Sequence, residues 1–250
     1  MSTVTFVTAL FVVKDYKQPG KSTDLYFEHF MRLVNTGIQL SVYISPIHFD
    51  RIKKIVDNHQ NVKISGVFNL NETWTYKTTA IQGVSVPSNR NLLKDTFDYF
   101  VCQSSKLECL QDTIKQNPFG TDYFAWIDFG VYAMLKDIES ANKQLQLIST
   151  SSYVKDKVIF PGCWQKGHYN YLHGVIWVLA GAFFIGYKDA FLNMWERYQI
   201  YLPQFIKNYN LMTWEVNLWV AMQIETDWDF HWYYGDHNNS LLNISTQYFI

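Results

Sequence analysis

Asp128 lies in Tyr123-Phe-Ala-Trp-Ile-Asp-Phe-Gly130, which reads as an aromatic-rich buried strand running straight into an acid and a glycine. In open α/β sheets, ligands bind outside the carboxyl ends of the strands. A carboxylate there can hold a divalent cation against a diphosphate, because hard cations take oxygen ligands and offset phosphate charge. The same acid could instead cap the turn that follows. Asp128-Phe129-Gly130 also spells the kinase metal-binding triplet, but the chain lacks a glycine-rich loop and H-R-D, so that match is set aside. His231, Asp236 and His237 fall within seven residues. Imidazoles beside a carboxylate form a credible ligand group, although Tyr234-Gly235-Asp236-His237 also reads as a turn.

Arg90, Lys94 and Lys106 could clamp phosphates; solvated surface cations are the plain alternative. Lys106 stands apart, because its neighbours four residues away, Cys102 and Leu110, are apolar. A lysine inside an apolar stripe needs a reason. Glu215 lies in Met212-Thr-Trp-Glu-Val-Asn-Leu-Trp219. Partial burial would raise its carboxyl pKa and suit acid–base work. Alternatively, Thr213 caps a helix whose first turn carries Glu215. His29, His48 and His59 read as surface residues, and His168 and His173 have no acid nearby. No G-x-S-x-G, H-E-x-x-H, P-loop or G-x-G-x-x-G occurs, which disfavours serine hydrolases, zincins, P-loop NTPases and dinucleotide-motif enzymes. Cys102, Cys109 and Cys163 make an odd set without C-x-x-C spacing. A disulfide framework or structural zinc is not expected; reduced thiols in a cytosolic compartment are.

The elements that would position these groups alternate in type. Val4 to Val13 reads as a first strand, followed by a helix over Asp24 to Thr36 with Gly37 at its C′ position. Leu40 to Ile44 is a second strand, His48 to His59 a helix, and Val62 to Val67 a third strand. This rhythm predicts βαβ units and a largely parallel sheet. Leu70 to Leu92 reads as a long loop, and Phe97 to Asn117 as one helix stopped by Pro118. Later come a strand near Val158 to Phe160 and an aromatic loop from Cys163 to His173. The apolar segment Gly174 to Gly186 reads as buried strand, followed by helices over Lys188 to Tyr201 and Thr213 to Gln223.

The composition is consistent with this. The chain has 250 residues, 18% aromatic and 17% charged, enough for a single α/β domain with a large core and too ordered for a disordered segment. A net charge of −1 gives no field for nucleic acid. No run of 18 apolar residues occurs, so no membrane span is expected. The N-terminal stretch lacks a basic segment and a cleavage site and reads as a core strand, with a cytoplasmic location. The aromatic surplus is compatible with a homodimer.

Taken in order, Thr5-Phe-Val-Thr-Ala9, Leu40-Ser-Val-Tyr-Ile44, Lys94-Asp-Thr96 with Lys106, Phe124-Ala-Trp-Ile-Asp-Phe-Gly130, Gly181-Ala-Phe-Phe-Ile-Gly186, Trp214-Glu-Val-Asn217 and Tyr233-Tyr-Gly-Asp236 resemble the HtrL/YibB-like family of inferred GT-A-type glycosyltransferases. The resemblance spans nearly the whole chain. It implies a GT-A-like α/β/α sandwich with a mixed, mostly parallel central sheet, residues 1–130 forming a nucleotide-sugar half and 131–250 an acceptor half. It further implies transfer of a sugar from a nucleotide-diphosphate sugar, a UDP-sugar favoured, to a glycan or other acceptor in polysaccharide biosynthesis, with Mn²⁺ or Mg²⁺ on the diphosphate. In such enzymes the metal-binding motif is D-x-D; here Gly130 fills the third place, so His231, Asp236 or His237 would supply the second ligand beside Asp128. Thr8 and Ala9 would lie near the nucleotide, and Arg90, Lys94 and Lys106 would face phosphate or ribose. Gly181 and Ala182 would let backbone approach the donor sugar. Glu215 would be the base or acceptor anchor. The rival expectation is a non-catalytic nucleotide- or carbohydrate-binding protein on the same fold, and a third is a phosphoester hydrolase.

Overall fold

The computed structural model describes residues 3–17, 19–20, 22–81 and 83–250. Its centre is a seven-stranded sheet in the order β3-β2-β1-β4-β6-β5-β7, built from β1 (Val4–Leu10), β2 (Gln39–Ile44), β3 (Val62–Val67), β4 (Tyr123–Ile127), β5 (Ile159–Gly162), β6 (Phe183–Tyr187) and β7 (His231–Tyr234). β1 pairs in parallel with β2 and β4, β2 with β3, and β5 with β7, whereas β6 runs antiparallel to both β4 and β5. Six strands therefore share one direction and β6 alone is reversed. The reason lies in its connection: the chain from β5 to β6 contains no crossover helix, and a return without a crossover gives an antiparallel neighbour.

Both faces of the sheet are covered, as buried parallel strands require. Phe6, Val42, Ala125, Ile127, Phe183 and Ile185 pack beneath α1 (Thr23–Asn35), α2 (Phe49–Val56) and α6 (Ile138–Thr150). The alternate positions Val7, Phe124, Trp126, Phe160 and Phe184 face α4 (Phe97–Ser104), α5 (Lys106–Gln116), α7 (Lys188–Tyr209) and α8 (Glu215–Glu225). The period-2 alternation of each strand thus sorts its side chains into two cores. The result is the expected α/β/α sandwich with a mixed, mostly parallel central sheet.

Local chemistry accounts for the helix ends. Ser22 caps α1 by accepting the amide of Leu25, and Gly37, at φ +79°, takes the left-handed turn that ends it. Several boundaries differ from expectation. Leu70 to Leu92 contains a 3-10 turn and a short helix α3 (Trp74–Thr79), capped by Thr73 and anchored by Glu108, which accepts the amides of Trp74 and Thr75. The Phe97 to Asn117 helix is broken at Ser105 into α4 and α5, so Lys106 opens a helix instead of sitting inside one. Only residues from Phe183 onward in the Gly174 to Gly186 segment form strand. The preceding turns lie against β5, with Ala180 donating its amide to Pro161 and Cys163 donating to Trp177. α6 was not marked in the sequence reading, and α7 runs eight residues beyond the expected Tyr201, to Tyr209. No helix among the described residues is long and apolar enough to cross a membrane.

Candidate active site

Asp128 follows β4 directly, and its amide donates to the carbonyl of Ala182, just before β6. Its Oδ1 accepts the indole Nε1–H of Trp126 at 2.7 Å and lies 3.2 Å from Nζ of Lys106. The side chain is 32% exposed, so the carboxylate is held from behind and open in front.

Lys106 explains its place in an apolar stripe. Its ammonium, 3% exposed, donates to the carbonyl of Gly181 and to Oε1 of Glu215, both at 2.9 Å, in addition to its contact with Asp128. Three donors meet three oxygens, and the Trp126 ring centroid lies 5.6 Å from Nζ. Burial opposes the charge on Lys106, but Asp128 and Glu215 outweigh it and hold the pKa above its ordinary value of 10.5. Glu215 is the first residue of α8, buried beside Val216. Neither side of the expected choice holds in full: Thr213 provides no cap, and the Glu215 carboxylate is committed to Lys106. A side chain at position 181 would disturb this tie, because a Cβ there would lie 2.3 Å from Oε1 of Glu215.

Two clefts meet at this cluster. The first, about 580 Å³, opens beyond β1 and is lined by Ala9 to Val13, Tyr16, Tyr26 and Tyr99. The second, about 480 Å³, holds Gly181, Ala182, Trp214, Glu215, Trp177 and His237. Lys94, Tyr99, Gln103, Lys106, Asp128 and Met134 line both. Lys94 stands with its Nζ 4.8 Å from the Tyr99 ring centroid, on a turn that Asp95 closes by accepting the amide of Asn91.

The third position of the acidic motif also has a physical explanation. A Cβ on Gly130 would lie 2.7 Å from the Tyr26 ring. Tyr26 therefore occupies the space in which a second acid would begin. Phe129, between them, stacks on Phe30 in the opposite core.

The structure brings together Ala9, Lys94, Lys106, Asp128, Gly181, Ala182, Glu215 and His237 along the two clefts. It separates the others. Thr8 is fully buried in β1, its hydroxyl without a hydrogen-bond partner, and lines neither cleft. Arg90 donates to the carbonyl of Pro87, outside both clefts. His231 opens β7, and its Nε2 lies 2.9 Å from Oδ1 of Asp156. With a rise of roughly 3.3 Å per residue, the strand carries it about 10 Å from the end that leads to Asp236. His231 is thus at the wrong edge of the sheet to share a cation with Asp128.

Asp236 and His237 follow β7 and meet Cys163, which follows β5. Cys163 Sγ donates to Oδ1 of Asp236 at 3.2 Å, and Nδ1 of His237 lies 3.1 Å from the same oxygen. Partial burial and the Asp236 carboxylate push the Cys163 thiol up to about 12, so it stays protonated and is a poor nucleophile. The amide of His237 bonds Asp236 and, with Cys163, holds the Asp236 carboxyl below its usual range. Sequence reasoning missed Tyr26, Tyr99, Gln103, Trp177 and Cys163. The strand-end position of Cys163, beside a β5 already expected, was the one signal available.

No family model and no curated protein matches the chain, so the HtrL/YibB-like resemblance rests on its motifs. Among solved structures, the chain is similar to 4-diphosphocytidyl-2C-methyl-D-erythritol synthase from Anaerococcus prevotii, at 12% identity and TM-score 0.46, covering 98% of this chain and 92% of that one. It is also similar to mouse xyloside xylosyltransferase 1 in its apo form, at 7% identity and TM-score 0.44, covering 94% and 85%. At these scores neither likeness bears on substrate or activity.

Proposed function

We propose that the chain is a glycosyltransferase that moves a sugar from a nucleotide-diphosphate donor to a glycan or other hydroxyl acceptor. One observation carries this reading: the half-open carboxylate of Asp128 stands at the carboxyl edge of the sheet where two clefts join. A cavity of this size suits a small ligand. In the first cleft, the β1 edge and Tyr16, Tyr26 and Tyr99 offer faces for a nucleoside. The second cleft would take the donor sugar and the acceptor, with Gly181 and Ala182 as its floor. Lys94, reaching both, would meet the diphosphate. A UDP-sugar is favoured on the resemblance alone.

The residues present fit a divalent cation. Oδ1 of Asp128 is occupied by Trp126 and Lys106, leaving Oδ2 as the free acceptor. Nδ1 of His237 faces Asp236, a carboxylate–histidine pairing that orients the ring and leaves Nε2 for a ligand. Asp128 and His237 would hold Mn²⁺ or Mg²⁺ across the second cleft, with Asp236 orienting the histidine. Such an ion neutralises the leaving diphosphate. In place of the base role expected for it, Glu215 holds Lys106, and Lys106 in turn aims Asp128.

A thermal-shift panel of UDP-, GDP-, CMP- and dTDP-sugars with and without Mn²⁺ tests the reading, because a ligand that binds only the folded state raises Tm. One nucleotide class should stabilise the chain, more so with Mn²⁺, and Asp128→Asn should abolish the metal increment. An Asp128→Asn chain that keeps the full increment would remove Asp128 from this role. The second reading, a non-catalytic nucleotide- or carbohydrate-binding protein, draws on a specific observation. Glu215 is tied to Lys106 and Asp95 to its own turn, so neither is free to act as a base. Donor binding without transfer or donor hydrolysis would favour it.

A further inference from the structure

Cys163, Asp236 and His237 present three different ligand atoms to one point. Cys163 and Asp236 are 73 residues apart in the chain, which is why no local spacing rule marks them. Parallel β5 and β7, paired Gly162 to Tyr234, deliver them side by side. The separations are 3.2 Å from Sγ to Oδ1, 3.1 Å from Oδ1 to Nδ1 and 4.0 Å from Sγ to Nδ1. A tetrahedral zinc ion requires about 3.5 Å between sulfur and a nitrogen or oxygen ligand and about 3.3 Å between nitrogen and oxygen. Each observed separation is within about 0.5 Å of that requirement. All three side chains are half-buried, and Trp177 packs edge-on against the imidazole with ring centroids 4.3 Å apart, which restrains it.

We infer that Sγ of Cys163, Oδ1 of Asp236 and Nδ1 of His237 form a zinc site at the rim of the second cleft, with water in the fourth position, and that zinc there withdraws His237 from the hard-cation site. The mixed sulfur, nitrogen and oxygen set selects a borderline-soft ion over Mg²⁺ or Ca²⁺, which take oxygen. Binding forms the three metal–ligand bonds and releases the thiol proton to solvent, without a change of oxidation state. A metal on Nδ1 places the imidazole proton on Nε2, so the neutral ring, unless it also loses that proton, does not ligate zinc and the donor's cation together. This second clause rests on the proposed transferase reading; the zinc site itself does not.

Co²⁺ titration of the full-length chain tests the site, since a thiolate ligand gives cobalt a charge-transfer band that oxygen and nitrogen ligands do not. One equivalent of Co²⁺ should produce the band, and Zn²⁺ should erase it. Cys163→Ser, which keeps the size and the hydrogen bond to Asp236, should retain the fold by Tm and lose the band. Its zinc affinity, read by competition with a chromophoric chelator, should fall by more than about 100-fold, the upper end for losing a mere outer-shell partner. His237→Gln should weaken zinc as well, which adventitious capture by a thiol would not show. Absence of the band in the unaltered chain, its survival in Cys163→Ser, or unchanged zinc affinity in His237→Gln overturns the site. For the coupling, one equivalent of Zn²⁺ should suppress the Mn²⁺ increment in donor-dependent Tm, and should not do so in Cys163→Ser. Zinc that binds without touching that increment overturns the shared histidine. No Mn²⁺ increment at all overturns the transferase reading and the coupling with it, while the cobalt band still decides the zinc site.

Discussion

Replacing Lys106 with Met removes the ammonium that joins Gly181, Asp128 and Glu215. The stem is roughly preserved, so the loss is one of charge and hydrogen bonding. Glu215 would keep its charge with a side chain only 8% exposed and no cation beside it. Breaking a buried ion pair from one side costs about 3–5 kcal/mol. Asp128 adds less, because at 32% exposure water can replace the lost contact. For a chain of this length that corresponds to a fall in Tm of roughly 6–20 °C. Lys106→Met combined with Glu215→Gln removes the stranded charge and should recover about half of the loss or more, since buried pairs replaced on both sides are often near neutral. The sign with pH follows. The folded pKa of Lys106 is raised, so the stabilisation is fully present below 10.5 and declines as pH rises through the folded value. Chemical denaturation of the three chains at neutral pH, repeated above 10.5, is the assay. A single mutant that loses less than about 1 kcal/mol, or a double mutant no more stable than the single, would refute the picture of Lys106 as the buried tie of the site.

Three further outcomes follow from particular contacts. Gly181→Ala sets a Cβ 2.3 Å from Oε1 of Glu215 and should cost about 1–3 kcal/mol, much less in a Glu215→Ala background, as a double-mutant cycle in urea will read. Gly130→Asp, which rebuilds the two-acid motif, should destabilise the chain by forcing the Tyr26 ring aside, and Tyr26→Ala should relieve it; equal Tm losses in both backgrounds would show that the ring is not the obstacle. Asp229 is partly buried, which alone would raise its pKa, but Lys157 and Lys166 bring it down to about 2. Its stabilisation is therefore present above 3.8 and lost as pH falls towards 2, and Asp229→Asn should flatten the Tm profile across that acid window.

Much of the frame was legible because strand signals are local. β1, β2, β3 and β4 stand where apolar, β-branched or aromatic runs predict them, and Asp128 directly follows β4 at its carboxyl end as its sequence indicates. The site was less legible because it depends on strand direction. In β1, β4, β5 and β7 the carboxyl ends lie on one edge, which collects Ala9, Asp128, Cys163, Asp236 and His237. β6 is reversed, so its beginning, with Gly181 and Ala182, reaches the same edge. His231 is the first residue of β7 and falls on the other edge beside Asp156. The sequence offers His231, Asp236 and His237 as one group within seven residues and marks no strand there, so nothing in it separates His231 from the other two. Lys106 and Glu215 could be marked as anomalies in apolar surroundings, but their pairing spans 109 residues and needs two helices to begin at the same point. Thr8 fails for a simpler reason: it lies fully buried within β1, whereas the cleft is lined only from Ala9 onward, where the strand reaches the sheet edge.

The buried tie also bears on the absent second acid. Tyr26 excludes a carboxylate at position 130, yet a second one does reach the site, as Glu215 from α8. Asp128 and Glu215 together carry two negative charges, and Lys106 returns one. Against hydrophobic residues of similar volume, such a buried pair adds little to stability. What it does supply is direction: two donors hold Oδ1 of Asp128 from behind, so the carboxylate presents one oxygen forward in a fixed orientation. One carboxylate oxygen with one imidazole nitrogen, on a centre of net charge −1, would be a weak site for a hard divalent cation on its own. It would become a strong one if diphosphate oxygens completed the coordination, because hard cations gain with each oxygen ligand. On the proposed reading, cation and donor therefore bind as a pair, each raising the affinity of the other by the same factor. A chain with two free acids in the motif would instead capture the cation first. On that reading, the glycine at position 130 would set the order in which the site fills, and the Tyr26 ring would be what keeps it a glycine.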